Sequence, residues 1–144
     1  MPVKYQIDTA NAVIRTECVG DVTLDEVVNH FRELVRDPNC PERLDVLLDL
    51  REQSSIPESE QLRVVSREVA RAGGRVQFGV CAIVAPRDVL YGMLRMFQVF
   101  SEAHFREAQV FRTLAEAELW LAAERSAGGP QLDVKSRSSS GKVM

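Results

Sequence analysis

Histidines and catalytic motifs are scarce in this sequence of 144 residues. The only histidines are His30, which we interpret as a half-buried boundary residue of a helix, and His104, which we place in the last turn of another helix. The chain lacks a GxSxG elbow, an HExxH pair, a Walker loop and a GxGxxG turn, which excludes the hydrolase, metalloprotease and nucleotide chemistry that these motifs support. We therefore predict a noncatalytic protein without a cofactor.

Cysteines are few and follow no ligand pattern. Cys18, Cys40 and Cys81 are odd in number, form no CxxC motif and have no histidine at metal-ligand spacing. This excludes a disulfide framework and a structural zinc site. We interpret all three as reduced thiols, with Cys40 as the most exposed, and we predict no metal site.

A strong charge imbalance and long apolar runs are also absent. The 18 Lys and Arg against 21 Asp and Glu give a formal net charge of −3, and the basic residues are scattered along the chain. Binding to nucleic-acid phosphates needs a clustered basic face, so we predict no nucleic-acid binding. No apolar run approaches the length of a membrane span, and the N-terminal MPVKYQID lacks the order of a signal peptide. We expect a cytoplasmic protein with no membrane span.

The first half of the chain carries clear signals for a hairpin and a helix. Residues 3–8 and 12–19 alternate apolar and polar side chains around a polar turn, which predicts a β-hairpin. Thr23 and Glu26 have the spacing of a capping box, so a helix should begin there and end at Asp37-Pro38. The apolar run at residues 45–50 then predicts a central strand that is covered on both faces.

Strand and helix signals continue to alternate in the second half. A helix should end at Gly73-Gly74 with a positive φ, residues 76–85 form another buried strand, and residues 108–112 form a last strand before a final helix. The predicted order is ββαβαβαβα, an α/β fold with a mixed, mostly parallel sheet and flanking helices. We assign this domain to residues 1–125 and predict a disordered C-terminal tail for residues 126–144, where periodicity is lost.

One candidate site is the polar loop at the carboxyl end of the central strand, with Asp49, Ser54 and Ser55. Ligands of open α/β sheets gather at this edge, and the following helix N-terminus would tolerate an anion such as a phosphate on serine. An alternative explanation is that Ser55 caps this helix, with Pro57 in its first turn.

The predicted third helix, from about Arg87 to Phe105, is the second candidate site. Its apolar arc is too wide for burial on one side only. Two interpretations stay open: it packs against the final helix, or it forms a surface for a partner or a ligand. The residues of this surface are Tyr91, Met93, Met96, Phe97, Val99 and Phe100.

The order of elements, the strand and loop DVLLDLRE, the helix YGMLRMF and the terminal segment from Val110-Phe111-Arg112 to Trp120-Leu121 resemble a SpoIIAA-like domain. This group is related to STAS (sulfate transporter and anti-sigma-factor antagonist) domains, and the resemblance covers about residues 3 to 125. It implies a partner-binding switch, with Ser54 and Ser55 where the antagonists carry a phosphorylated serine. The antagonists carry this serine in an Asp-Ser-Ser-Gly segment; in this sequence Gln53 stands where the Asp would be, and Ile56-Pro57 replaces the glycine.

The function predicted from the sequence is a noncatalytic regulatory module that binds a protein partner or itself, with a homodimer expected. The alternative is a carrier or sensor of a small apolar molecule such as a fatty acid, because some SpoIIAA-like proteins are suspected of holding apolar ligands between helices and sheet. We place that ligand near Met93, Met96, Phe97 and Phe100.

Overall fold

The computed structural model describes residues 2–127, which form five strands and four helices in the predicted order ββαβαβαβα. The predicted disordered tail lies outside these residues except for Ser126 and Ala127, which belong to the last helix. The elements are β1 (Val3–Asp8), β2 (Val13–Gly20), α1 (Leu24–Arg36), β3 (Arg43–Gln53), α2 (Ser59–Ala72), β4 (Gln77–Val84), α3 (Asp88–Phe100), β5 (Glu107–Phe111) and α4 (Leu114–Ala127).

The sheet has the strand order β1-β2-β3-β4-β5. The pair β1 and β2 is antiparallel, and every other neighbouring pair is parallel, so the predicted mixed, mostly parallel sheet is confirmed. The carboxyl ends of β2 to β5 therefore share one edge of the sheet. In open α/β sheets this is the edge where ligands bind.

A threonine hydroxyl caps the start of both α1 and α4, and at α1 it forms the capping box that the sequence predicts. The Thr23 hydroxyl accepts a hydrogen bond from the Glu26 N–H at 3.2 Å, and the Glu26 carboxylate accepts one from the Thr23 N–H at 2.8 Å. At α4, the Glu116 N–H likewise donates to the Thr113 hydroxyl at 3.2 Å. These bonds satisfy backbone groups that a helix N-terminus otherwise leaves unpaired.

The two faces of the sheet carry different helices. Leu44, Leu48 and Leu50 of β3 pack into the larger core with α1, α2 and α3, whereas Leu47 joins a smaller core with α4. The alternation follows from the two-residue period of a strand. Since α3 and α4 lie on opposite faces of the sheet, packing against α4 does not explain the wide apolar arc of α3.

The third helix is shorter than predicted, because it ends at Phe100 and residues 101–104 form a turn. The Ser66 hydroxyl of α2 donates to the Phe100 carbonyl at 2.9 Å, and the buried Ser101 hydroxyl donates to Ser66 at 3.3 Å. Ser66 of the neighbouring helix α2 thus provides a hydrogen-bond partner for a backbone carbonyl at the end of α3. His104 therefore lies in the turn after α3, which corrects its predicted place in the last helical turn.

Two further boundaries differ from the sequence prediction. Gly73 adopts a right-handed helical conformation with φ −60°, so the predicted positive φ at Gly73-Gly74 is wrong. The strand β3 continues to Gln53, because its last residues still pair with the end of β2.

Among the described residues, no helix is both long enough and apolar enough to cross a membrane.

Candidate functional site

A cavity of about 350 Å³ lies at the carboxyl ends of β2 and β3. Its floor is formed by strand residues of the larger core, and its sides by the first turns of α1 and α2 and by the middle of α3. Most of its walls are therefore aliphatic or aromatic side chains. These apolar wall residues are Val22, Leu24, Val27, Leu48, Leu50, Ile56, Leu62, Val65, Leu94 and Phe97.

Polar groups occupy the mouth of this cavity and hold its two loops together. The Ser55 hydroxyl accepts a hydrogen bond from the Val22 N–H at 3.0 Å and lies 3.3 Å from the Val22 carbonyl, to which it donates. The Gln53 side-chain amide donates to the Ser55 carbonyl at 3.0 Å, and the Arg87 guanidinium donates to the Gln53 carbonyl at 2.7 Å. The mouth is thus held by bonds between distant parts of the chain.

Ser55 does not cap α2, contrary to the alternative drawn from the sequence. The helix begins at Ser59 after the N-cap residue Glu58, whose N–H donates to the Gln61 side chain at 2.8 Å. Three residues therefore separate Ser55 from the helix. Ser55 does not act as the cap because its hydroxyl is hydrogen-bonded to the backbone of Val22, which is distant in the sequence.

A second cavity of about 70 Å³ lies deeper between α1, α2 and the sheet. Five wall residues are common to both spaces, so the two cavities adjoin. The shared residues are Cys18, Val27, Leu48, Val65 and Phe97. We call the larger space the outer cavity and the smaller one the inner cavity.

The inner cavity contains the buried pair His30 and Thr16. The His30 side chain was predicted to be half-buried but is only 9% exposed, because the ring packs beneath Tyr5 with centroids 5.2 Å apart. His30 Nε2 lies 3.4 Å from the Thr16 hydroxyl, and Nδ1 has no hydrogen-bond partner among the described residues. Burial lowers the pKa of His30 to about 4, so the imidazole is neutral at pH 7.

This pair was missed by sequence reasoning, although each residue carries a signal. His30 lies four residues before the buried Leu34, on the inner stripe of α1, and Thr16 lies two residues after the buried Ile14 on β2. A polar side chain at an inward position requires a partner. The sequence does not show that α1 would place these two inward polar groups together.

The sheet separates Asp49 from the other two predicted switch residues, Ser54 and Ser55. Ser55 lies at the mouth of the outer cavity, and Ser54 is exposed beside it. Asp49 lies on the opposite face of β3, where Arg51 donates to it at 2.9 Å. Burial alone would raise the pKa of Asp49, but the hydrogen bonds from Arg51 outweigh burial and hold that pKa below its ordinary value.

The predicted surface on α3 is divided in the structure. Phe97 is buried and lines both cavities, while Met93 and Phe100 are half-buried against the larger core. Tyr91 lies beneath the Arg112 guanidinium, at 4.0 Å from the ring centroid. Met96 and Val99 remain on the surface. Only Phe97 of the residues expected to enclose a ligand does so.

The cysteines offer no exposed thiol. Cys40 is the most exposed of the three, as predicted, but it is only 5% exposed, against 4% for Cys18 and 2% for Cys81. All three are free and buried. Burial raises the pKa of Cys18 and of Cys81 to about 12, so both thiols that line the inner cavity are protonated at neutral pH.

No protein-family model matches this chain, and no curated protein matches it. The resemblance to SpoIIAA-like domains therefore stays a prediction, and the function has to be inferred from the site. Within residues 2–127, no group of three His, Cys, Asp or Glu side chains is placed to hold a metal ion.

Proposed function

We propose that this protein is a noncatalytic carrier or sensor that binds a small, elongated and largely apolar molecule in the outer and inner cavities. The observation that supports this most is the outer cavity of about 350 Å³, which has apolar walls and a polar mouth. Ligand pockets in proteins usually measure roughly 300–1,000 Å³ and combine apolar walls with a few polar groups.

The position of the outer cavity supports the same function. It lies at the carboxyl ends of parallel strands, where α/β sheets bind ligands. The loop that carries Ser55 is fixed by its bonds to Val22, so the mouth is largely formed before a ligand arrives. A preformed site reduces the entropy that binding has to overcome.

Binding without catalysis is part of this proposal. The titratable side chains of the inner cavity are Cys18, His30 and Cys81, and all three are uncharged at neutral pH because of burial. A protonated thiol is a weak nucleophile, and an imidazole with a pKa near 4 is a weak base at pH 7. We therefore expect ligand transfer or sensing rather than chemical turnover.

A cavity-filling substitution tests the proposed function. Val65 lines both cavities, so Val65→Phe should occupy the shared space. We expect it to weaken binding of the uncharged dye N-phenyl-1-naphthylamine about tenfold or more. The reason is that the dye cannot enter a cavity that the introduced Phe side chain already fills without straining the surrounding side chains. The readout is dye fluorescence during titration.

The neighbouring residue Val64 provides a matched control. It is half-buried on the same helix but lines neither cavity. Val64→Phe should bind the dye as the wild type does. Equal dye binding by wild type and Val65→Phe, or no binding by the wild type, would contradict a ligand site in this space.

Self-association is a second candidate function, and the exposed face of α3 favours it. Val89 is 64% exposed and Val99 is 65% exposed, with Gly92 and Met96 between them on the same side of the helix. An added Cβ at Gly92 would meet nothing within 4 Å, so another surface can approach closely there. We propose a second copy of this chain as the occupant, since a twofold axis brings identical patches together.

The substitution Met96→Glu tests this second candidate. A charge in the centre of the patch should shift the protein to monomer, as measured by sedimentation velocity, because a buried unpaired charge strongly opposes association. Leu119→Glu is the control, since Leu119 is 74% exposed on α4 across the sheet. A wild type that is already monomeric, or the same loss of mass in both variants, would rule out pairing through α3.

A further inference from the structure

Polar atoms are distributed unevenly between the two adjoining cavities. Although Thr16 and His30 lie beside the inner cavity, polar atoms contribute almost nothing to its surface. They form a substantial part of the surface of the outer cavity. The polar side chains there are Asp21, Thr23, Gln53, Ser55 and Gln61. A molecule that fills both spaces therefore meets polar groups only in the outer one.

The polar side chains of the outer cavity include those where it opens to solvent. Asp21 and Thr23 are exposed there, and Ile56, on the loop after β3, is 37% exposed. In contrast, Leu94 and Phe97 are buried, and Phe97 also borders the inner cavity. Burial of an apolar chain stabilises a complex, whereas a buried polar group needs a partner. An amphiphile is therefore expected to enter with its apolar chain first.

The two hydroxyl groups of the mouth already use their hydrogens within the protein. The Thr23 hydroxyl donates to the Glu26 carboxylate at 3.0 Å and accepts a bond from the Glu26 N–H. The Ser55 hydroxyl donates to the Val22 carbonyl and accepts a bond from the Val22 N–H. Neither hydroxyl therefore supplies a hydrogen to a ligand.

Gln61 and Asp21 present complementary groups to a ligand. The side-chain oxygen of Gln61 accepts a bond from the Glu58 N–H at 2.8 Å, which leaves the NH₂ group of the same amide as a donor. The Asp21 carboxylate is exposed, and such a group accepts hydrogen bonds and is negatively charged at pH 7. A hydroxyl can accept from the amide and donate to the carboxylate. A ketone can only accept.

We infer that the ligand is an amphiphile with an uncharged hydroxyl head group, which lies at the mouth beside Asp21 and Gln61, and an alkyl chain whose end reaches the inner cavity. This inference rests on the proposed function and specifies the chemical class of the ligand and its orientation. A fatty acid, the example predicted from the sequence, fits this mouth less well, because its carboxylate would meet the like charge of Asp21.

Arg87 is a positive charge close to the mouth. Its guanidinium donates to the Gln53 carbonyl at 2.7 Å, but Arg87 is not one of the residues that line the outer cavity. An anionic head group would have to compete with that carbonyl for the guanidinium. The experiments below therefore include a carboxylate probe and a variant of Arg87.

Isotope-filtered NOE spectroscopy of methyl-labelled protein with unlabelled 1-octanol measures the orientation. The protons of the CH₂ group next to the hydroxyl and those of the terminal CH₃ group have well-separated shifts. We expect cross-peaks from the terminal CH₃ to Val46 and Val69, which line only the inner cavity, and from the CH₂–O group to Leu24 and Ile56, which line only the outer one. The reverse pattern would overturn the orientation while the cavities remain a ligand site.

Displacement of N-phenyl-1-naphthylamine by three probes of eight carbons tests the head group. The probes are 1-octanol, 2-octanone and octanoate. Asp21→Ala should weaken 1-octanol binding about threefold relative to 2-octanone, because only the alcohol donates a hydrogen to that carboxylate. Asp25→Ala is the matched control, since Asp25 is exposed nearby on α1 and lines neither cavity. It should leave the ratio of the two affinities unchanged.

Each other outcome rejects a different statement. If Asp21→Ala changes both affinities equally, or changes neither, the head-group inference is wrong while the cavity remains a ligand site. If octanoate binds the wild type more tightly than 1-octanol at pH 7, the uncharged class is wrong, and loss of that binding in Arg87→Gln would place an anion at Arg87 instead. If none of the three probes displaces the dye, the proposed function and this inference both fail.

Discussion

The two faces of the sheet are covered in different ways. Three helices cover one face, yet both cavities lie there, between the helices and β2 and β3. One helix, α4, packs on the other face through Ala117 and Leu121, against Val80, Ala82 and Val84, which are fully buried. The face with more helices is therefore the less completely filled one.

The difference between the two faces lies in how closely the side chains pack. Small side chains on the α4 face let helix and strand backbones approach closely, and such packing resists added volume. On the other face, residues such as Val65 and Phe97 border empty space. Protein interiors are normally close-packed, and cavities of this size on one face are the feature on which the proposed ligand site rests.

The largest effect that we expect comes from protonation of His30 on the three-helix face. Its pKa is about 4 in the folded chain against 6.5 for the free side chain, so the unfolded chain binds more protons between these values. The stability that neutral His30 permits is present above pH 6.5 and is lost as the pH falls toward 4, by about 3 kcal/mol.

Urea denaturation of wild type and His30→Phe at pH 7 and pH 4 measures this effect. The loss of stability on acidification should be about 3 kcal/mol smaller in the variant, because Phe does not titrate. Carboxylates contribute equally to both proteins and cancel in this difference. Identical pH dependence in the two proteins would show that His30 is not buried in neutral form.

The next effect concerns Gly79 of β4, on the α4 face. The Asp45 carboxylate accepts a hydrogen bond from the Val80 N–H at 2.9 Å and one from Arg125 of α4 at 2.8 Å. A Cβ at Gly79 would collide with that carboxylate. We expect Gly79→Ala to lower the free energy of unfolding by about 2 kcal/mol, because the collision displaces a hydrogen-bonded, partly buried charge.

Gly92→Ala is the matched control for this prediction. The added methyl meets nothing within 4 Å, and alanine is the better helix former, so stability should rise by about 0.5 kcal/mol. Thermal unfolding of the two variants measures both values. A Gly79→Ala protein as stable as wild type would show that Asp45 can move without cost and that the α4 face is not tightly packed there.

The smallest expected change in the free energy of unfolding comes from enlarging one buried side chain on each face of the sheet. Ala117 is fully buried between α4 and the sheet, and Ala117→Leu should cost about 1.5 kcal/mol through overpacking. Val65→Leu adds one methylene beside both cavities and should change stability by less than about 0.5 kcal/mol, since space is present. Equal costs in urea denaturation would remove the distinction between the faces.

Local signals in the sequence were sufficient for most of the fold. The alternating hairpin and the Thr23 capping box act over a few residues, and the structure confirms both. The role of Ser55 could not be predicted in this way, because it depends on Val22, which is 33 residues away along the chain. The sequence around Ser55 is also compatible with a helix cap, but in the structure its hydroxyl forms hydrogen bonds with the backbone of Val22 instead.

The candidate site was less predictable than the fold for the same reason. The wide apolar arc of α3 identifies a helix with two apolar sides, but the sequence does not show which side faces the sheet. Phe97 faces the cavities and Val99 faces outward. A cavity is space that side chains from three helices and two strands leave unfilled, and no single segment specifies it.

The most direct measurement of the central claim is isotope-filtered NOE spectroscopy of methyl-labelled protein with unlabelled 2-octanone. A ligand inside the cavities should give cross-peaks to the methyl groups of Val65 and Leu48, which line both spaces. Cross-peaks confined to the exposed methyls of Val89 and Val99 would place the molecule on the surface of α3 and contradict an internal site.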